Sequence, residues 1–175
     1  MTKKYILTGA PGSGKSSVLL ELEKRGEHVI REAAEDVIKL AQAKGIEEPW
    51  INPDFQKEIL ELQLKREERI PPDASRVFID RGILDGLAYV DKENELYWEI
   101  LKQAPRYKQV FLIERLGETE RTRVRREDDI TAFELECKVR EAYLLQKYKV
   151  HKIPADSVEE RADLILRMVE RSTTQ

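Results

Sequence analysis

An α/β fold of three layers, a parallel sheet of about five strands with helices on both faces, is the class this sequence predicts. Three observations predict it. Short apolar runs alternate with longer stretches of helical periodicity; the first run leads straight into a glycine-rich loop; and no repeat, low-complexity tract or linker divides the 175 residues. Parallel strands joined through helices need crossovers, and the crossovers lay helices over both faces of the sheet. The length suits one domain able to bury a core without disulfides or metals, so residues 1–175 are read as a single unit.

Tyr5, Ile6, Leu7 and Thr8 read as the first buried strand, and Ser17 to Arg25 as a helix carrying Val18, Leu19 and Leu22 at helical spacing. Gly26 marks a turn before a brief second strand, Glu27 to Arg31. A helix from about Glu32 to Lys44 puts Ala34, Val37, Ile38 and Ala41 on one face and ends at Gly45. Pro49, Asn52 and Pro53 mark a loop holding Trp50. Beyond it, a long helix from Asp54 to Arg69 shows Phe55, Ile59, Leu62 and Arg66 in register and stops at Pro71 and Pro72. Arg76 to Asp80 is the third strand, followed by helical segments from Gly82 to Val90 and Glu93 to Ala104. Gln109 to Ile113 is the fourth strand and Lys149 to Ile153 a weaker fifth. Between them runs a helix from about Thr131 to Tyr148, opened by a Thr131–Glu134 capping box. Ser157 to Glu170 closes the chain with a second such pair, Ser157 and Glu160.

Gly9, Ala10, Pro11, Gly12, Ser13, Gly14, Lys15 and Ser16 form a complete phosphate-binding loop. The glycines allow successive N–H groups to converge on phosphate oxygens. Lys15 supplies a point charge for the outer phosphates, the Ser16 hydroxyl is suited to ligate Mg2+, and Ser17 lies in the first turn of the helix whose dipole favours the anion. A strand before the loop and a helix after it make this a P-loop NTPase fold, with a nucleoside triphosphate as partner.

Composition removes other classes. With 31 Lys plus Arg against 34 acidic residues, a formal charge of −3 argues against nucleic-acid binding by bulk charge. No apolar run has transmembrane or signal-peptide length, so no membrane association and a cytoplasmic location are expected. Cys137, the single cysteine, reads as a small, partly buried side chain. His28 and His151 stand apart, without metal-site spacing.

The magnesium also needs a carboxylate at the end of a neighbouring strand. Asp80 and Glu114 both qualify; Asp80 is preferred because an aspartate is usual there and Arg81 and Gly82 follow at once. Arg115, Arg121, Arg123, Arg125 and Arg126 then cluster before Glu127 and Asp128. Planar guanidinium groups suit charge spread over a transferred phosphoryl group, so a segment of about 115–130 reads as a lid. The same arginines, interleaved with Glu118 and Glu120, also fit a solvated ion-paired helix.

The loop, the Asp80-Arg81-Gly82 turn with Asp85 and Tyr89 after it, Glu32-Ala33-Ala34 after the second strand, the arginine-rich segment and the last strand with Pro154 resemble small nucleoside and nucleotide kinases. In particular, the chain is similar to the AAA-type P-loop ATPase/kinase family that includes the ribosylnicotinamide kinase domain. That resemblance implies Asp80 holding magnesium through water, Arg81 on the acceptor or transferred phosphate, and Glu32 or Asp36 facing the acceptor hydroxyl. It also implies Ala155 and Ser157 beside the adenine, while the charge pattern puts Arg121, Arg125 and Arg126 in the lid over the triphosphate. Residues 32–72 would form the acceptor side. The expected activity is transfer of the γ-phosphate of Mg-ATP to a small nucleoside-like or nucleotide-like acceptor; a nucleoside triphosphatase and a nucleotide-dependent switch are the alternatives. An Asn-Lys-x-Asp base-reading run is absent.

Overall fold

The computed structural model describes residues 2–103, 106–115 and 129–172. Five strands form one sheet in the order β2-β3-β1-β4-β5: β1 Lys3–Thr8, β2 His28–Ile30, β3 Arg76–Asp80, β4 Gln109–Ile113 and β5 Val150–Ile153. Every pairing is parallel, with Leu7 opposite Asp80 on one side of β1 and Leu7 opposite Phe111 on the other. Six α-helices are described: α1 Lys15–Lys24, α2 Ala33–Ala43, α3 Phe55–Glu68, α4 Glu95–Leu101, α5 Asp129–Leu145 and α6 Val158–Arg171.

Alternation along the central strands builds two cores. Tyr5 and Leu7 of β1 point to one face with Phe78, Phe111 and Ile153, and α1 and α6 cover it with Val18, Leu19, Leu22, Ala162, Ile165 and Val169. Tyr5 stacks between Phe78 and Phe111, with centroids 5.4 and 6.4 Å away. Ile6, Val77, Ile79 and Val110 point the other way, under Leu60 of α3, Leu96 and Ile100 of α4, and Val139 and Tyr143 of α5. A third cluster, Val37, Ile38 and Phe55 with Trp50 against it, joins α2 to α3 beyond the sheet.

Several local expectations need correction. Gly82 to Val90 contains a 3₁₀ helix, Ile83–Ala88, and Pro49–Ile51 adds another short 3₁₀ turn. The buried stripe of α3 is Phe55, Leu60, Gln63 and Glu67, whereas Ile59, Leu62 and Arg66 are half-buried, because two polar side chains take inward positions. Thr131 lies inside α5, which starts at Asp129, so it does not cap that helix. The Ser157 side chain does cap α6, accepting from the Glu160 N–H at 3.2 Å. Cys137 is exposed, because the buried face of α5 is formed by Ala132, Leu135, Val139, Ala142 and Tyr143.

Candidate active site

The phosphate loop joins the carboxyl end of the central strand β1 to α1. Gly9 has φ 137°, and a Cβ there would lie 2.6 Å from the Ile113 carbonyl oxygen; Gly12 and Gly14 have φ 76° and 88°. Only glycine meets those conditions without strain. Lys15 is buried and its Nζ donates to the carbonyls of Ala10 (2.8 Å) and Gly9 (3.1 Å) and to Ser13 Oγ (3.4 Å). Burial, helped by the Arg81 charge, lowers its pKa to about 8, against the pull of Asp80, Glu32 and Asp85.

β3 lies beside β1 and ends in Asp80, which is buried. Ser16 Oγ donates to Asp80 Oδ2 at 2.7 Å, while Oδ1 is buried with no hydrogen-bond partner. Burial raises the Asp80 pKa; Lys15 opposes the shift and Glu32 adds to it. A buried carboxylate oxygen without a donor, held next to the loop serine, fits a site for a hydrated divalent cation. The alternative carboxylate, Glu114, instead pairs with Lys152 at 2.5 Å.

After Asp80 the chain makes a strained step. Arg81 has φ 63°, a left-handed conformation costing of order 1–3 kcal/mol for a non-glycine residue. The neighbours over-determine it: the Arg81 N–H donates to Leu7 O at 2.9 Å, and Gln63 Nε2 donates to Arg81 O at 2.6 Å. Its side chain is enclosed by carboxylates, with Nε 2.8 Å from Glu32 Oε1, an ion pair not aligned as a hydrogen bond, and Nη1 3.6 Å from Asp85 Oδ2. Glu32 stands directly before α2, after β2, so both members of that pair sit at carboxyl ends of strands.

Asp85 is buried. It accepts from Thr8 Oγ1 and Tyr143 Oη, both at 2.6 Å, and from the Gly82 N–H at 3.2 Å. Burial raises its pKa despite Arg81 and these donors. Behind it, the Ile83 N–H donates to Tyr107 Oη at 2.7 Å, and that hydroxyl donates to the buried Glu67, which also receives Lys4 Nζ at 2.8 Å. The turn after β3 is thus fastened from β1, α3, α5 and the approach to β4.

Gly82 is needed here for room: its φ of −82° suits any residue, but a Cβ would lie 2.2 Å from Tyr143 Oη and 3.1 Å from Tyr107 Cε2. Because Tyr143 Oη is tied to Asp85, it does not yield freely. Gly82→Ala is expected to destabilise the fold by about 1–3 kcal/mol, read as a lowered urea midpoint with unchanged m value.

Beside the loop opens a cavity of about 900 Å³. Pro11, Glu32, Asp85, Arg81, Trp50, Phe55, Gln56 and Tyr89 are among the residues that line it. Residues 32–72 therefore contribute much of the cavity lining. Asp36 does not line it: it forms an ion pair with Arg66 above a second, shallower groove. Tyr97 and Trp98 pair edge-on with each other on α4, centroids 5.5 Å apart, and Trp98 is exposed. Ala155 is exposed in the turn after β5, and Ser17 is exposed in the first turn of α1. Arg121, Arg123, Arg125 and Arg126 lie outside the described residues, as does most of the expected lid; Arg115 is described, with Nε buried.

Thr8, Gln63, Glu67, Tyr107, Tyr143 and Arg161 belong to no motif. Only Gln63 and Glu67 carried a signal, since they continue the four-residue spacing from Phe55 and Ile59 along α3. Among the described residues no helix is long and apolar enough to cross a membrane.

A family model described as AAA domain matches residues 4–161. No curated protein gives a significant match. Among solved structures, deoxyadenosine kinase from M. mycoides with dCMP and dCDP bound shares the fold at TM-score 0.65 and 16% identity, covering 96% of this chain and 99% of that one. Thymidylate kinase from Candida albicans does so at TM-score 0.59 and 12% identity, covering 98% and 92%. At such identities the likeness concerns the three-layer P-loop fold.

Proposed function

The chain belongs to the AAA domain family, and from that membership together with the site geometry we propose that it is a Mg-ATP-dependent phosphotransferase acting on a small nucleoside-like or nucleotide-like acceptor. The observation that carries this reading is the one cavity lined together by Pro11 of the phosphate loop, Glu32, Arg81, Trp50 and Tyr89. Its volume of about 900 Å³ lies in the range of small-molecule sites, and a bare water nucleophile needs far less room. Kinases of nucleosides and nucleotides with the same fold bind such molecules, which supports the same substrate class here.

In this reading the loop N–H groups and Lys15 hold the triphosphate, with its γ-phosphate directed toward the cavity. Ser16 and Asp80 would hold Mg2+, which when bound neutralises charge between the outer phosphates. Glu32 accepts the proton or hydrogen bond of the acceptor hydroxyl, and Arg81, rigid on its strained backbone, meets the transferred phosphoryl oxygens. Catalysis then rests on positioning and preorganised charge. Arg121, Arg125 and Arg126, outside the described residues, would meet the charge of the triphosphate, and Ala155 would lie near the base.

The test is a panel of nucleosides, nucleoside monophosphates and vitamin-like ribosides assayed for γ-phosphate transfer from ATP, with phosphate release followed in parallel. At least one acceptor should become phosphorylated and raise ATP consumption more than about 10-fold over the water reaction, the scale that acceptor positioning supplies easily. Phosphate release indifferent to every acceptor would move the assignment to a hydrolase.

A further inference from the structure

The largest wholly buried side chain among the described residues is a charged one, Arg161, 1% exposed. It sits in the first turn of α6, after the Ser157 cap. Nη1 donates to the Ser13 carbonyl at 2.8 Å and Nη2 to the Glu114 carbonyl at 2.9 Å; Nε has no hydrogen-bond partner. Arg161 forms no ion pair within the described residues: Asp156 and Glu114 act on it only at longer range, and Glu114 pairs with Lys152. A buried cation whose only direct partners among the described residues are two carbonyl oxygens is costly to the fold. Stability by itself would favour an apolar side chain there.

Where the two carbonyls lie gives the charge a use. In a planar trans peptide the C=O and the following N–H point in opposite directions. Drawing the Ser13 carbonyl back toward α6 therefore turns the Gly14 N–H forward, into the concave side of the loop, and Gly14 with φ 88° tolerates that orientation. The guanidinium also supplies positive charge directly behind the loop, in a medium of low dielectric.

We propose that Arg161 is a positioning residue of the phosphate loop, aiming the Gly14 N–H at the bound polyphosphate and strengthening anion binding from behind. The inference rests on the nucleotide-binding reading of the loop.

The experiment uses the full chain with Arg161→Met and Arg161→Lys, titrated with Mg-ATP by calorimetry, while the Gly14 amide resonance is followed by NMR. Arg161→Met should weaken Mg-ATP binding about 10- to 100-fold, the range for losing a charge-assisted hydrogen bond. The ATP-induced shift of the Gly14 amide should shrink with it. Arg161→Lys keeps the charge but only a single donor head, so it should fall between, with a loss of about 3- to 10-fold. A packing role alone would lower the melting temperature and leave both ATP affinity and the Gly14 response as in the wild type, which overturns the proposal. If the methionine variant does not fold, the lysine variant decides: wild-type affinity and Gly14 response in it reject the idea. Wild-type protein that fails to bind Mg-ATP at all, and matches Lys15→Ala in this, would instead remove the nucleotide reading on which the proposal stands.

Discussion

Lys15→Ala lowers nucleotide turnover by about 10²- to 10³-fold while the protein stays folded, the scale expected for removing a preorganised charge from the transferring phosphates. The site explains why fold and activity separate. The Lys15 ammonium is buried, and burial together with Arg81 has brought its pKa from the ordinary lysine value to about 8. With the folded pKa below the unfolded one, the unfolded chain binds more protons between about pH 8 and pH 10.5. The charge therefore destabilises the fold at neutral pH, and the penalty is relieved as pH rises through that window. Deleting the side chain should leave the urea midpoint at pH 7 unchanged or higher. In the wild type, kcat/KM should decline above about pH 8 as the free protein loses this proton, and the alanine variant should lack that limb. Full turnover by the variant would show that the loop is not the phosphate site.

Asp80→Asn has the second large effect. It should raise the magnesium requirement about 10- to 100-fold and cut kcat by a comparable factor, with affinity for metal-free nucleotide within about 3-fold of the wild type. The substitution preserves shape and a hydrogen-bonding contact for Ser16 but replaces an anionic oxygen without a donor. Because burial raises the Asp80 pKa, its ionised form costs stability above that pKa, and the cost disappears as pH falls through it. The asparagine variant should thus melt higher at pH 7 without metal, with the difference narrowing in acid. Weakened nucleotide affinity with an intact magnesium requirement would transfer the metal role to Glu114, against its engagement with Lys152.

How much of this was legible in the residues depends on the range of the interaction. All five strands were readable, since Val77 to Ile79 and Val110 to Ile113 are continuous apolar runs of the kind buried on both faces. The phosphate loop was readable because its requirements fall on adjacent positions. Asp80 followed from its place at the end of a strand. The enclosure of Arg81 was not readable, as its partners come from residues 32, 63 and 85, which only the fold brings together. The same holds for Asp85: its place in a short polar-flanked segment gave no sign that Thr8 and Tyr143 would both close on it. The 3₁₀ form of residues 83–88 escaped for a related reason, because its shape answers to Tyr107 and Gly82 contacts rather than to local helical preference.

The strand order has a further consequence, for how the protein comes into being. β1 is made before both of its sheet neighbours, which are β3, where Lys3 pairs with Arg76, and β4, where Tyr5 pairs with Gln109. The loop at its end is then braced by a guanidinium at position 161. The β1 segment must wait, without its final partners, until β3 and β4 have been made, and such long-range closure is intrinsically slow. The phosphate loop is therefore braced only after residues far beyond it in the chain have been made.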